Sequence, residues 1–468
     1  MMKFTTEEIA QIVGGSLLPA TVGATVTGVS TDSRSLQPGD LFVPLHGPNY
    51  DGHDYLRHAV EHGAAACLSE EVVGGLNVPV VQVDDALKCL GELAGYLRQN
   101  FVGPVFAITG TTGKTSTKEM LASILAQQDQ GLKTEGNFNN LIGLPLTLSR
   151  LSEEHRWMVL ELGMSQRGEI TRLAQIAQPT VALITNVGAG HLAGVGDIAG
   201  VAQAKGELFE NLKPGAIAIV NNDDPLVVAL PLPTGVKQVS FAIENEADVW
   251  ASDLSCGRET HFTLHLDGEQ HVVTLPLPGQ HQVSNALAAA AAAHSAGIAV
   301  AHIVAGLSVV KMAAGRLEVR ELESGVTLLD DSYNANPQSM KAALKALGDW
   351  PCLGRKIAVL SDMLELGDAA AECHRDLGAY AASRADCLLT MGAWANHVVL
   401  GADDANTDES LEIIIPPCNN HDQIVAWLEK NLSAEDCVLI KGSRGMHMEK
   451  VVQCLINDSR LQVNDEVE

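Results

Sequence analysis

Lys114 and Thr115 follow directly on Thr109-Gly110-Thr111-Thr112-Gly113, where the apolar run Val105–Ile108 gives out, and Ser116 comes next. In a glycine-rich turn between strand and helix, backbone N–H groups point inward and cradle phosphate. The helix N-terminus adds partial positive charge, and a lysine ammonium reaches the outer phosphates. A threonine hydroxyl after the lysine is placed for Mg²⁺. The usual phosphate-loop spacing has a glycine where this chain has Ile108, so the loop is compressed onto Gly110 and Gly113. Gly-Lys-Thr alone divides evenly between a phosphate site and a plain turn beside a surface lysine. The strand before it and the amphipathic helix expected over Ser116–Gln128 (Met120, Leu121, Ile124, Leu125) favour a nucleoside triphosphate.

Other reactive side chains stand at the ends of apolar runs. Trp157–Gly163 carries Glu161, and a buried carboxylate is costly unless paired or bound to metal, which points Glu161 at Mg²⁺. Thr180–Val187 is followed by His191, which alone would read as a cap or a core residue and is promoted by its companions. Ala216–Val220 runs into Asn221-Asn-Asp-Asp224. Lys205, inside Gly200–Phe209, reads from the residues alone as an exposed helical lysine. Asn137, Asn139 and Asn140 give the loop Thr134–Pro145 many neutral donors, suited to a polar ligand or to a plain surface loop. Asn285, near the start of an alanine-rich helix after Gly279, either reads an amide-like edge such as adenine or, with Ser284, caps the helix. Ser30, Asp32 and Arg34 form either an Asx-type polar turn, which spacing favours, or a loop for a polar, anionic ligand.

These positions need elements to hold them. The 468 residues are too many for one ordinary core, and three units are expected. Strands alternating with helices predict an α/β chain of mostly parallel sheets, whose ligands gather at the carboxyl ends of the strands. Residues 1–83 read as a small α/β unit, with a helix over Glu7–Val13, strands at Asp40–Leu45 and Ala64–Leu68, and a helix over His53–Gly63. Residues 84–314 read as a P-loop-type parallel sheet with added β hairpins between about Val236 and Pro278. Residues 315–468 read as a Rossmann-like sheet with strands at Thr327–Leu329, Lys356–Leu360 and Cys437–Ile440. Asp330–Pro337, Ser361–Gly367 and Lys441–His447 follow those strands directly, and three polar loops at one edge suggest a site.

The formal charge of −27 opposes nonspecific nucleic-acid binding, and aromatic residues at 4% are too few for a base-stacking platform. The 9 cysteines are scattered, with no Cys-x-x-Cys pair, so neither a zinc site nor a disulfide framework is indicated. No apolar run reaches membrane length and the N-terminus lacks the layout of a secretion signal, so a cytoplasmic protein without a membrane span is expected.

Taken together and in order, from Asp32-Ser-Arg34 and Pro38-Gly-Asp-Leu-Phe42 to Lys441-Gly-Ser-Arg444 and Met448-Glu449, these stretches resemble the Mur ligase superfamily, the ATP-dependent amino-acid ligases of peptidoglycan precursor synthesis. Tyr333-Asn-Ala-Asn-Pro337 with Asp362-Met-Leu-Glu-Leu-Gly367 resembles its dipeptide-adding branch. The resemblance implies that Ser30, Asp32 and Arg34 hold the uridine end of a UDP-sugar, and that Asn137, Asn139 and Asn140 act near its diphosphate. Arg167, Asn334 and Asn336 are substrate-binding on the same ground. Thr109 to Ser116 would hold ATP, joined by Asn285 at the adenine and by Arg316 and Asp331 from the third unit.

Thr115, Glu161, His191 and Lys205 would hold two magnesium ions, Lys205 as a carbamate made from CO₂. Lys114, Lys205, His191 and Glu161 are the implied catalytic set. UDP-N-acetylmuramoyl-tripeptide and D-alanyl-D-alanine are the implied substrates of a monomeric enzyme, joined through an acyl phosphate. A sibling ligase adding one amino acid and an ATP-binding switch without ligase chemistry are the alternatives; the presence of Glu161, His191 and Lys205 together speaks against the switch. After His191 the family often has Phe-Gly-Ser where this chain has Val195-Gly-Asp197, so local packing is expected to differ there.

Overall fold

The computed structural model describes residues 3–18, 23–407, 410–414 and 416–457; the end of the third expected unit, 458–468, lies outside the described residues. The phosphate-loop strand, Val105–Thr109, sits inside a nine-stranded sheet. Trp157–Glu161 and then Gly131–Lys133 lie on one side of it. Val181–Ile184, Ile217–Asn221, Lys237–Ala242 and Val249–Cys256 lie on the other, all parallel. The hairpin strands Thr260–Leu266 and Glu269–Leu275 complete the sheet antiparallel. The chain therefore leaves Val105–Thr109 first to one side and then to the other. That is the switch point at which an open α/β sheet leaves a crevice for ligand.

Strands covered on both faces read as continuous apolar runs, and Val105 to Thr109 are all buried. On one face pack the helices Lys114–Leu125 and Gln280–Ser295, the latter buried on nearly every side through Ala286–Ala293. Small side chains all round let that helix lie close to both sheet and neighbour. Glu169–Ala177 and Ile198–Glu210 cover the other face. Asp197 caps the second of these, its Oδ1 accepting the Gly200 N–H at 2.7 Å, so the expected difference in packing is absorbed by a side chain that caps as serine would.

The larger sheet of the first unit has five strands in the order Ser16–Leu17, Val80–Gln82, Ala66–Ser69, Asp40–Phe42, Gly28–Ser30, parallel except for the first. The helix expected over His53–Gly63 is a 3₁₀ turn, Gly52–Tyr55, followed by the α-helix Leu56–Glu61. Helix Ala86–Gln99 joins this unit to the next. Ala86, Cys89, Leu90 and Leu93 pack in the first core and Ala94 in the central one, while Arg98 donates to the carbonyls of Ala177 and Gln178.

The third sheet runs Glu318–Glu321, Thr327–Asp331, Cys437–Lys441, Lys356–Ser361, Cys387–Met391, Glu412–Ile413, parallel except for the first pair. Its central strands have their carboxyl ends at Asp331, Lys441 and Ser361, beside the three polar loops singled out in the sequence.

Candidate active site

Gly110 and Gly113 are glycines of necessity. At Gly110 φ is +152°, and a Cβ would stand 1.8 Å from Thr185 Oγ1; at Gly113 φ is +80°, and a Cβ would stand 2.2 Å from Asn285 Oδ1. The loop is braced by residues that sequence reasoning passed over. Asn186 accepts the Thr112 N–H through its side chain at 2.9 Å and the Thr111 N–H through its carbonyl at 3.0 Å, and Thr185 Oγ1 donates to the Thr112 carbonyl. Their only signal was their position at the end of the neighbouring strand. The helix begins at Lys114, earlier than expected, and Gly113 offers it no side-chain cap. Its first-turn N–H groups are therefore left for a ligand. Lys114 folds back so that Nζ donates to the Gly110 carbonyl at 2.7 Å, and burial lowers its pKa.

Asn285 lies in the second turn of a helix whose N-terminal cap is Gly279, so the capping reading for Asn285 and Ser284 does not hold. Its amide instead donates to Gln282 and accepts from Thr117 against the loop glycine.

Glu161 closes its strand with a side chain 2% exposed. Oε2 accepts from Thr115 Oγ1 at 3.0 Å and Oε1 from Asn139 Nδ2 at 2.9 Å. Arg316, arriving from the third unit, donates to the same Thr115 oxygen at 3.0 Å while its guanidinium lies 4.0 Å from the centre of the Tyr333 ring. Lys205 corrects the reading made from residues alone: it is 2% exposed, not a surface lysine. It sits four residues beyond buried Val201 and three before buried Leu208, on the inward stripe of its helix. Burial, reinforced by the charge of Lys114, drives its pKa well below the usual lysine value. Among the described residues no acid pairs with it.

One cavity of about 930 Å³ gathers these groups: Thr111 to Ser116, Asn137, Asn139, Asn140, Glu161, His191, Lys205 and Asn285 from the central unit, and Arg316, Asp331, Asn334 and Asn336 from the third. Its third-unit wall also includes Lys441, whose Nζ donates to Asp331 Oδ2 at 2.6 Å, and Arg444. Neither lysine nor arginine was proposed from the sequence, although Lys441-Gly-Ser-Arg444 was marked as polar. His281, pushed down to about 4 by burial, is a further unanticipated part of the wall.

Three groups of expected site residues stay apart from this cavity's lining, the first being Thr109 and Gly110 at the end of the phosphate-loop strand. Ser30, Asp32 and Arg34 form a turn satisfied within itself: Ser30 Oγ accepts the Asp32 N–H, and Arg34 donates to the Asp32 carboxylate from its backbone N–H at 3.0 Å and from its guanidinium at 2.8 and 2.6 Å. Arg34 holds the Asp32 carboxyl at about 2. Arg167 is exposed and lies over Gly200, at the start of the helix that carries Lys205.

The donor set suits a hard divalent cation. A hydroxyl, a carboxylate and an imidazole open onto one cavity, and the ammonium that would repel a cation is disfavoured by its own burial.

Three family models cover the chain in order: the Mur ligase family catalytic domain at residues 25–97, the Mur ligase middle domain at 108–293 and the Mur ligase glutamate ligase domain at 315–444. The UDP-N-acetylmuramoyl-tripeptide–D-alanyl-D-alanine ligase of Bacillus subtilis is 37% identical over 97% of this chain and 99% of its own length. The chain belongs to the Mur ligase family. The ligase of the same name from Escherichia coli is 38% identical over 97% of this chain and 99% of its own. Among solved structures, MurF from Acinetobacter baumannii matches with a TM-score of 0.89 at 31% identity, covering 98% of this chain and 100% of that one. MurF from Thermotoga maritima, solved in complex with ADP, matches with a TM-score of 0.81 at 28% identity, covering 92% and 96%. The three-domain α/β architecture of this family is thus the fold of the chain. Among the described residues no helix is long and apolar enough to cross a membrane.

Proposed function

We propose that this chain is the ATP-dependent ligase that joins D-alanyl-D-alanine to UDP-N-acetylmuramoyl-tripeptide, yielding the pentapeptide, ADP and phosphate. The observation that carries the reading is the shared cavity, in which the phosphate loop, Glu161, His191 and Lys205 face Arg316 and Asp331 from another sheet. The full-length likeness to ligases of that name supports the choice of substrates.

The chemistry follows from the groups present. The terminal carboxylate of the tripeptide attacks the γ-phosphorus of ATP, the bond to the β-phosphate oxygen breaks, and ADP leaves behind an acyl phosphate. The dipeptide amine then attacks the acyl carbon, loses a proton and expels phosphate. Lys114 and the free first-turn N–H groups of its helix are set to hold the triphosphate and its growing charge. Thr115, Glu161 and His191 would hold Mg²⁺, which screens the repulsion between carboxylate and triphosphate and draws charge from the phosphoryl oxygens.

Lys205 completes the set as a carbamate. Its neutral amine, favoured by burial, adds CO₂ and releases one proton, which exchanges a cation for an anionic oxygen pair beside the metal. Arg316 would turn from Thr115 to ATP phosphate, and Asp331 would meet the ribose. Asn285 is assigned to the adenine side, Asn137, Asn139 and Asn140 to the diphosphate of the UDP-sugar, and Arg167, Asn334 and Asn336 to the peptide substrates. Ser30, Asp32 and Arg34 hold the uridine. Bringing walls from two sheets together excludes water from the acyl phosphate. We further assign the enzyme to the cytoplasm as a monomer, with unit boundaries near residues 83 and 314.

Phosphate release tests the reading. It should require ATP, the nucleotide-linked tripeptide and the dipeptide together. Equal release with a single free amino acid in place of the dipeptide would transfer the chain to a sibling ligase.

A further inference from the structure

Two turns from different sheets meet at the rim of the cavity, and each presents a non-glycine residue in the left-handed backbone region: His191 at φ 57° and Glu365 at φ 65°. Such residues are uncommon and concentrate where the surroundings hold a side chain to a task. Here the two side chains face each other. Nδ1 of His191 lies 2.7 Å from Oε2 of Glu365, and that buried nitrogen has no other partner among the described residues. The backbone joins in, the Ala193 N–H reaching the Glu365 carbonyl at 3.4 Å.

The loop that carries Glu365 is held on its own side. Asp362 accepts the N–H groups of Ala393 and Trp394, Met363 donates to His374, Leu364 donates to Ser443, and Leu366 is buried. A side chain 61% exposed at the tip of so firmly anchored a loop is well placed to orient something across the gap.

We propose that Glu365 is a positioning residue for His191. A histidine that ligates metal through one ring nitrogen commonly gives the N–H of the other to a carboxylate, which fixes tautomer and ring orientation and raises the ligand's basicity. At 2.7 Å from Nδ1, Glu365 is placed to take this role, which would leave Nε2 as the ligating nitrogen. Because the carboxylate comes from the third sheet, the imidazole is set only while that sheet is docked, so metal binding and docking favour each other. The inference rests on the reading of His191 as a metal ligand.

The test uses the full chain with a non-hydrolysable ATP analogue, titrated with Mn²⁺ and read by electron paramagnetic resonance. Glu365→Ala should weaken the protein-bound Mn²⁺ about 10- to 100-fold, the range for losing an outer-shell partner. Glu365→Gln, whose amide oxygen still accepts from Nδ1, should stay close to the parent. In a His191→Ala background, Glu365→Ala should add no further loss, which separates positioning from a general effect on folding. Parent affinity in Glu365→Ala, or an equal loss when His191 is already absent, would overturn the proposal. If His191→Ala itself keeps parent affinity, the metal-ligand reading of His191 falls instead, and the proposal with it.

Discussion

Lys205 and Lys441 line the same cavity from different units, each 2% exposed and each with its pKa lowered chiefly by burial. Lys441 has the company a buried cation needs: Asp331 at 2.6 Å and the Asn334 carbonyl at 2.9 Å. Among the described residues Lys205 has none, and the charge that bears on it is the like charge of Lys114. Lys118, a third buried lysine, sides with Lys441, donating to the Thr134 carbonyl and pairing with Glu119. A paired buried lysine holds structure together, whereas an unpaired one destabilises the fold and persists where chemistry uses it.

The sharpest break in the comparison is catalytic. Lys205→Ala should lower turnover by on the order of 10³-fold, the scale of losing a group that stabilises transition-state charge. Phosphate release should recover in part when a short carboxylic acid supplies the missing oxygens; full activity in the variant would take Lys205 out of the site.

Next in size is the effect of taking one partner from the other lysine. Lys441→Met leaves Asp331 without its cation and should cost about 3 kcal/mol in denaturant unfolding, with part recovered in the double variant with Asp331→Asn.

The same substitution at the unpaired site should act with the opposite sign. Without CO₂ or metal, Lys205→Met should stabilise the fold by about 1 kcal/mol while abolishing turnover, a stability gain at the expense of function. The pH dependence follows from the lowered pKa. Between the folded pKa of Lys205 and the ordinary lysine value the unfolded chain binds more protons, so this residue makes stability rise with pH, and Lys205→Met should flatten that slope. Carbamate formation, which needs the neutral amine, is favoured in the same direction.

The smallest effect belongs to the exposed pair. Arg34→Ala should leave unfolding almost unchanged, because exposed ion pairs contribute little, yet it should raise KM for the nucleotide-linked substrate. An unchanged KM would leave the turn a purely structural one.

How much of this was legible in the sequence depends on which residues one asks about. The strand–loop–helix around Lys114 could be read directly, because continuous apolar runs, paired glycines and an amphipathic continuation each leave local marks. Glu161 was legible for a related reason: a carboxylate inside an apolar run has to be accounted for. Lys205 was misread from its own stretch, although Val201, Lys205 and Leu208 share one helical stripe, since a lysine on such a stripe is ordinarily taken as solvent-facing. Asn186, Lys441 and Glu365 act across strands or between sheets, so their polar strand-end loops could be marked in the sequence but their individual roles could not. Tertiary pairing decided their roles; the strand pattern lent the third-unit loops a common edge, and the likeness to a family joined that edge to the phosphate loop.

The proposed chemistry depends on Lys205 carrying CO₂, and ¹³C nuclear magnetic resonance of the active protein in ¹³C-bicarbonate addresses that directly. A protein-bound carbamate signal that is lost in Lys205→Ala is the expected result. An enzyme that turns over at its full rate with no such signal would contradict it.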